Sequence, residues 1–286
     1  MPDPTLAQKS TSQDDLDAKN GAFWNTLCGT TFAKSLGIED DSPDSLRKFD
    51  EWYFRLYPYL DEHLDLPDTR GKRVLEIGLG YGSVGEKLAR AGALYTGLDI
   101  APGPVGMMHH RLHQAGLPGG GVEGSILEPP FPAGGFDVVI AIGCLHHTGD
   151  LQRAIQQCAA LLSPGGRLTM MVYYAYSYRQ WQQARPETLR YLQRETFGFR
   201  GVVGDSTEAQ RAAADTDQDG NAAPHTDWIS RRSLRASFKQ AGFRYATTRL
   251  ENIDQAGPHV KIPREVSLNT AWPQIWGLDL YATARK

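Results

Sequence analysis

A glycine-rich turn between an apolar segment and an amphipathic segment constrains this chain more than any other feature. Residues 74–82 read VLEIGLGYG, so Gly78, Gly80 and Gly82 alternate with other residues just before Ser83. Glycine is needed where a backbone turns with positive φ and lies against a ligand without an intervening Cβ. The free N–H groups at the start of the following helix suit a ligand carboxylate. The pattern predicts a strand, a ligand-binding turn and a helix in succession.

The spacing of these glycines distinguishes a dinucleotide site, such as one for NAD, from other nucleotide sites. A dinucleotide fingerprint would place its third glycine where this chain has Ser83, and this departure disfavours NAD. Asp99 closes the next predicted strand, as expected of an acid that accepts hydrogen bonds from two ribose hydroxyls. The alternative is a tight strand-to-helix turn with no ligand, and the position of Asp99 favours a nucleotide site.

The pattern of strands and helices from Arg73 onward predicts an α/β fold. Apolar segments alternate with amphipathic ones, which indicates a parallel sheet with right-handed crossovers. The segment Phe136–Ile142 is almost entirely apolar, as a central parallel strand should be. The predicted strands are 73–78, 93–99, 122–125, 136–142, 167–173, 243–250 and 277–284, and the predicted helices are 83–91, 105–115, 150–162 and 230–241.

Segments outside this alternation divide the rest of the chain. Residues 1–20 are polar without an apolar period, which predicts disorder. Residues 21–70 are predicted to form a helical cap, in which Ser42 and Pro43 mark a helix start. Residues 71–286 form the predicted α/β domain, and 174–226 is interpreted as an insertion that caps the site.

Composition and charge exclude several classes of function. The chain has 286 residues and a net charge of −3 without a basic run, which disfavours nucleic acid as a partner. Its three cysteines show no metal-ligand spacing, so we predict no metal. The longest apolar run, Val138–Leu145, is too short to span a bilayer, and the N-terminus lacks the order of a signal peptide. We expect a cytoplasmic protein that acts on a small molecule; the oligomeric state stays open.

Five motifs in order resemble those of the class I S-adenosylmethionine (SAM)-dependent methyltransferases. They are residues 76–82, Leu98-Asp99, 136–139, 161–166 and 277–281. The resemblance implies a Rossmann-like, seven-stranded, mostly parallel sheet with SAM over the carboxyl ends of its first, second and fourth strands. It also implies a set of cofactor-binding residues: Glu76, Gly78, Gly80, Gly82, Asp99, Ile100, Ser125, Ile126 and Gly143. Ser125 departs from the family, which often has an aspartate there for the adenine amine.

Two kinds of side chain are candidates for the catalytic side of the site. His146 and His147 follow the fourth strand, and either could act as a general base or merely orient the loop. Tyr174 and Tyr176 follow the fifth strand, and their rings could stabilise a sulfonium by about 0.5–2 kcal/mol through cation–π attraction. The alternative is that these tyrosines form core beneath the insertion. Phe23, Trp24, Trp52 and Tyr53 could close the pocket from the N-terminal side, although core packing is favoured for them.

Three functions remain open at this point. The first is methyl transfer from SAM to a small-molecule acceptor, as in secondary metabolism. The second follows from a resemblance to the azetidine-2-carboxylate synthases in residues 23–29, 52–54 and the tyrosines through Tyr176. In that group the amine of SAM attacks its own γ-carbon and releases methylthioadenosine. The third is a non-catalytic SAM-binding protein, which the intact glycine turn and the candidate acceptor pocket disfavour.

Overall fold

A nine-stranded sheet runs through the computed structural model, which describes residues 12–26, 30–204, 206–253 and 263–286. Within these ranges the strands are β1 Arg73–Ile77, β2 Leu94–Asp99, β3 Gly120–Glu123, β4 Phe136–Ile142, β5 Leu162–Tyr174, β6 Val202–Val203, β7 Trp228–Ile229, β8 Tyr245–Glu251 and β9 Asp279–Arg285. The helices are α1 Gln13–Trp24, α2 Thr30–Ser35, α3 Pro43–Leu56, α4 Leu60–Leu64, α5 Leu66–Thr69, α6 Ser83–Arg90, α7 Pro102–Ala115, α8 Leu151–Leu161, α9 Tyr178–Gln183, α10 Arg185–Thr196, α11 Glu208–Ala212, α12 Arg231–Gln240, α13 Arg264–Leu268 and α14 Trp272–Trp276.

The order of the strands confirms the predicted Rossmann-like fold. The main path is β3-β2-β1-β4-β5-β7-β6, and β9 pairs antiparallel with both β5 and β8. The predicted number of seven strands is wrong, because the described residues form nine. The two additional strands, β6 and β7, are two residues each and come from the insertion and the residues just after it. β7 pairs with Tyr173 and Tyr174 of β5, beyond the point where the β4 pairing ends at Met171.

Most predicted element boundaries lie within three residues of the observed ones. β4 begins and ends where the apolar segment predicts. β5 begins earlier than expected, at Leu162 rather than Arg167, because Leu162 already pairs with Phe136 across a register shift. The predicted cap start is confirmed, since the Ser42 side chain accepts a hydrogen bond from the Ser45 N–H and Pro43 opens α3.

The predicted disorder of residues 1–20 is wrong for the part from Gln13 onward, which belongs to α1. This helix is polar, and contacts far along the chain hold it in place. The Gln13 Nε2 donates to the Thr148 carbonyl at 2.9 Å, and the Asn20 Nδ2 donates to the His147 carbonyl at 2.8 Å. The residues before Ser12, and residues 27–29 of the segment 23–29, lie outside the described ranges.

The insertion packs on the end of β5 through a small core of its own. Its buried members are Ala175, Tyr191, Val203 and Trp228. The carboxylate of Glu195, on α10, accepts hydrogen bonds from the Ser233 hydroxyl at 2.8 Å and from the Ser230 hydroxyl. These bonds join α10 to α12, so the insertion is anchored to the domain that carries the sheet. No described helix has the length and apolar character needed to cross a membrane.

Candidate active site

A cavity of about 220 Å³ lies at the carboxyl ends of β1, β2 and β4. This is the sheet edge at which the sequence places the cofactor, because strand order reverses between β1 and β4. Eight of the nine predicted cofactor residues line it: Glu76, Gly78, Gly80, Asp99, Ile100, Ser125, Ile126 and Gly143.

Gly78 is the residue that lets the turn lie against the end of β4. Its φ is +77°, and an added Cβ would stand 2.5 Å from the Cβ and 2.9 Å from the Sγ of Cys144. The Cys144 thiol in turn donates to the Ile77 carbonyl at 3.0 Å. Only glycine fits this crossing, so the backbone of the turn stays at the cavity wall.

Gly82 was predicted to contact the cofactor, but it is not among the residues that line the cavity. The structure gives it a packing role instead. An added Cβ would stand 2.7 Å from the Cδ of Arg111, a fully buried side chain on α7. The Arg111 guanidinium pairs with Asp50 of α3 at 2.9 Å and with Glu86 of α6 at 2.7 Å. Gly82 therefore makes room for a buried cation that joins the cap to two helices of the domain. The sequence reasoning missed Arg111, whose only signal is its place beside Met108 and Leu112 on the buried face of α7.

Asp99 fits the ribose-binding role that the resemblance implies. Its carboxylate oxygens accept hydrogen bonds from the Leu79 N–H at 2.7 Å and from the Ala101 N–H at 2.9 Å. Burial raises the pKa of Asp99 to about 6. Each carboxylate oxygen has a second lone pair, so the acid can still accept bonds from a ligand diol.

Glu76 lies deeper in the same wall and is almost completely buried. The Tyr95 hydroxyl donates to its Oε2 at 2.5 Å. Burial raises the pKa of Glu76 to about 8, so its carboxyl group is largely protonated at neutral pH. Ser125 lies across the cavity after β3, and its Oγ accepts a bond from the Leu127 N–H at 3.3 Å. Its contact with an adenine stays a prediction.

The two candidate histidines occupy different positions. His147 lines the cavity, whereas His146 does not. His146 is fully buried, with its ring centroid 4.1 Å from that of His147 and 4.2 Å from that of Tyr173. Burial holds the pKa of His146 well below its ordinary value, and neither of its ring nitrogens has a hydrogen-bond partner in the described part of the chain. Packing thus separates His146 from the cavity. The prediction that His146 could act as a base for a ligand in the cavity is therefore wrong.

His147 is fixed by the insertion on one side and touches α1 on the other. Its Nδ1 lies 2.7 Å from the His225 carbonyl, which can only accept, so Nδ1 carries the proton in the neutral ring. Its Nε2 lies 3.7 Å from the Asp215 carboxylate and has no hydrogen bond within the described ranges. Burial lowers the pKa of His147. The ring centroid stands 4.8 Å from that of Trp24.

Tyr174 and Tyr176 lie outside the cavity, which corrects their predicted place beside the sulfonium. β5 ends at Tyr174, and the chain turns before Ser177 caps α9. This turn carries Tyr176 beneath the insertion, where its hydroxyl donates to Glu195 at 2.9 Å. The alternative interpretation, core beneath the insertion, describes both tyrosines better.

A different set of rings lines the cavity. This aromatic wall consists of the rings of Trp24, Phe49, Trp52, Tyr53, Tyr57 and Tyr81. Trp24 comes from α1, and three others come from α3. The Phe49 and Tyr81 rings stack at 4.1 Å, which ties α3 to the glycine turn. The interpretation of Trp24, Trp52 and Tyr53 as core alone is therefore wrong. Phe23 is not part of this wall and packs edge-on against Trp24 at 4.6 Å.

Curated relatives match a little over a third of the chain. One is the ubiquinone biosynthesis O-methyltransferase of Cronobacter sakazakii, which is 35% identical over 99 residues, or 34% of this chain and 41% of that protein. Another, from Stutzerimonas stutzeri, is 34% identical over 114 residues, or 38% of this chain and 47% of that protein. The chain thus spans less than half the length of these relatives.

Solved structures share the fold over nearly the whole chain. Magnesium protoporphyrin IX methyltransferase from Synechocystis PCC 6803, with bound SAH (S-adenosylhomocysteine), aligns with a TM-score of 0.56 and 17% identity over 95% of this chain and 100% of that chain. The [4+2]-cyclase SpnF aligns with a TM-score of 0.56 and 16% identity over 93% of this chain and 94% of that chain. At these identities the likeness concerns the fold.

A family model described as a methyltransferase domain matches residues 49–248, more than half of the chain. The match includes the glycine turn, Asp99 and the loop after β4. It confirms S-adenosylmethionine as the methyl donor and disfavours the NAD alternative. The chain belongs to the SAM-dependent methyltransferases.

Proposed function

We propose that this chain transfers a methyl group from SAM to a small-molecule acceptor held in the cavity. One observation carries the proposal: the cofactor residues and the aromatic wall line the same cavity of about 220 Å³. The wall comes largely from α1 and α3, which close over the sheet edge. A cavity lined largely by aromatic side chains, with a few polar groups at one edge, suits a small acceptor better than a polymer.

The glycine turn and Asp99 line one half of the cavity, the cofactor half, and the residues of this half fit SAM. Asp99 would hold the ribose hydroxyls, and the backbone at Gly78 and Gly80 would lie along the methionine part. The N-terminus of α6 would face the carboxylate of that part. Bound SAM supplies an electrophilic methyl group on a sulfonium. The chain positions the reactants and excludes water, which is most of what such a displacement needs.

For a neutral acceptor such as a hydroxyl group, whose proton is not released to water beforehand, His147 is the base of the proposed reaction. In its neutral form the lone pair is on Nε2, which forms no hydrogen bond with any described group. A proton taken up there would lie on the nitrogen that stands 3.7 Å from the Asp215 carboxylate oxygen. That carboxylate is itself held by the Tyr173 hydroxyl at 3.0 Å. The insertion would thus stabilise the imidazolium that the reaction forms.

Incubation of the purified protein with SAM tests the proposal and separates it from the cyclase alternative. With acceptors present we expect SAH and a methylated product, and with SAM alone we expect no turnover. Methylthioadenosine and azetidine-2-carboxylate from SAM alone would establish the cyclase instead. The variant Asp99→Ala is the control, because it removes the predicted ribose contact and should abolish SAM binding. Binding of SAM with no product from any acceptor would contradict both reactions.

A further inference from the structure

The charged side chains of the cavity wall are almost all of one sign. Among the described lining residues, the carboxyl groups are those of Asp17, Glu76 and Asp99, and neither lysine nor arginine is present. Glu76 is almost completely buried and largely protonated at neutral pH, and Asp99 is the acid proposed to hold the ribose hydroxyls of the cofactor. Asp17 is therefore the carboxylate that remains for a ligand outside the cofactor half.

Helix α1 holds Asp17 beside the loop that follows β4. Asp17, Asn20 and Trp24 are spaced three and four residues apart, so they share one face of the helix, and all three line the cavity. The Gln13 Nε2 donates to the Asp17 carboxylate at 2.7 Å and to the Thr148 carbonyl at 2.9 Å. The carboxylate is thus fixed at the cavity and is half-buried.

Asn20 contributes an acceptor atom without a donor. The side chain is 3% exposed, and its Nδ2 donates to the His147 carbonyl. Because a carbonyl can only accept, this bond fixes the orientation of the amide and leaves Oδ1 as the free end. Oδ1 has no hydrogen-bond partner in the ranges that the structure describes. A buried acceptor without a partner is unfavourable, so this site calls for a ligand that donates.

The third member of the face favours a cation. Trp24 offers an indole ring, and Trp52 lines the same wall. Ammonium groups are attracted to the faces of tryptophan rings, more strongly so when water is excluded. A carboxylate, an unpaired amide oxygen and indole rings are together the groups that recognise an ammonium ion.

We propose that the acceptor is an amine, bound as its ammonium form against Asp17, Asn20 and Trp24 and methylated on nitrogen. This substrate class rests on the function proposed above. The ammonium group first releases one proton to water at the half-exposed Asp17. The nitrogen lone pair then forms the N–C bond to the methyl carbon while the C–S bond breaks and its electron pair stays on sulfur. The products are a methylated ammonium ion and the uncharged thioether.

A binding experiment tests the site without knowledge of the natural acceptor. The protein is loaded with SAH and titrated with phenethylamine or with 2-phenylethanol. The two compounds share a carbon skeleton, but the first carries an ammonium group where the second carries a hydroxyl group. Tryptophan fluorescence reports binding, since two indoles line the cavity. We expect the amine to bind about tenfold more tightly than the alcohol. Equal or weaker binding of the amine would overturn the proposal.

Two variants of α1 assign any preference to the cavity. Asp17→Asn keeps the shape and removes the charge, so the amine should lose about tenfold in affinity while the alcohol is unaffected. Asp14→Asn is the matched control, because Asp14 is exposed on the same helix and does not line the cavity. The same loss in both variants would show a long-range charge effect and overturn the proposed subsite.

Turnover with methyl-labelled SAM separates failure of this inference from failure of the proposed function. Label on the nitrogen of amines, with hydroxyl analogues inert, supports both. Label on oxygen with amines inert overturns the amine class and leaves methyl transfer to a small molecule standing. Methylthioadenosine from SAM alone would assign the ammonium to the amine of SAM itself, and that result overturns transfer between molecules altogether.

Discussion

The variant Gly78→Ala tests whether the turn needs glycine for its crossing with the end of β4. Gly78 has a φ of +77°, and forcing an alanine into this region costs about 1–2 kcal/mol. The new Cβ would also stand 2.5 Å from the Cβ of Cys144, and overpacking of this kind adds about 1–3 kcal/mol. We therefore expect a loss of about 2–5 kcal/mol in the free energy of unfolding. SAM affinity should fall by about tenfold or more, because relief of the clash moves the backbone that lines the cofactor half.

A second glycine separates the two contributions. Gly116, at the end of α7, has a φ of +64° and no heavy atom within 4 Å of an added Cβ. Gly116→Ala should therefore lose only the backbone part, about 1–2 kcal/mol, and bind SAM normally. Urea unfolding and titration calorimetry measure both quantities. In a double-mutant cycle, Cys144→Gly should relieve the clash part of Gly78→Ala. Equal losses in the two alanine variants, or no coupling to Cys144, would refute the reasoning.

Three further predictions concern buried groups. Arg111→Met removes the buried cation that pairs with both Asp50 and Glu86, and it should lower the free energy of unfolding in urea by about 3–5 kcal/mol. Arg90→Met removes an exposed cation that pairs with the same Glu86, and it should change the free energy of unfolding by less than about 1 kcal/mol. The folded-state pKa of Glu76, about 8, lies above the ordinary glutamate value of 4.5. The stabilisation from its protonated form is therefore present below pH 4.5 and is lost as the pH rises to about 8. Between pH 5 and 8 the free energy of unfolding of the unmodified protein should fall by roughly 3–5 kcal/mol, and that of Glu76→Gln should not show this fall. Urea unfolding measures both, and pH profiles that run parallel in the two proteins would contradict the prediction. Tyr176→Phe should cost about 0.5–1.5 kcal/mol of stability through its lost hydrogen bond and leave the kinetic constants of methyl transfer unchanged; a large fall in kcat would restore the tyrosine to the active site.

The cofactor half of the site could be predicted because its determinants are local in sequence. The glycine turn, the strand before it and Asp99 lie within one strand–helix–strand unit, so spacing alone places them at one sheet edge. β4 was predicted at both ends because a central parallel strand is apolar throughout. Gly82 shows the limit of this reasoning. Its neighbour Arg111 lies 29 positions further along the chain, and no spacing rule indicates that contact.

The acceptor half could not be predicted, because packing over long sequence distances decides it. The sequence left Tyr174 and Tyr176 either beside the sulfonium or in the core. The structure decides between these, because the chain turns after Tyr174 and directs Tyr176 to Glu195 of the insertion. The sequence of helix α1 shows no amphipathic pattern. The helix is held instead by hydrogen bonds from its side chains to the carbonyls of His147 and Thr148. Propensity and periodicity describe neither interaction.

The residues proposed to bind the cofactor and those proposed to bind the acceptor come from separate parts of this chain. The family model begins at residue 49, after the face of α1 that contains Asp17, Asn20 and Trp24. The curated relatives match 34–38% of the chain, and the fold is shared with a [4+2]-cyclase as well as a methyltransferase. Membership of the family therefore establishes SAM as the cofactor and leaves the acceptor open. In the amine site that we propose, the charge and hydrogen bonding of α1 select the acceptor, because a carboxylate, an unpaired amide oxygen and an indole ring favour an ammonium ion over a neutral hydroxyl.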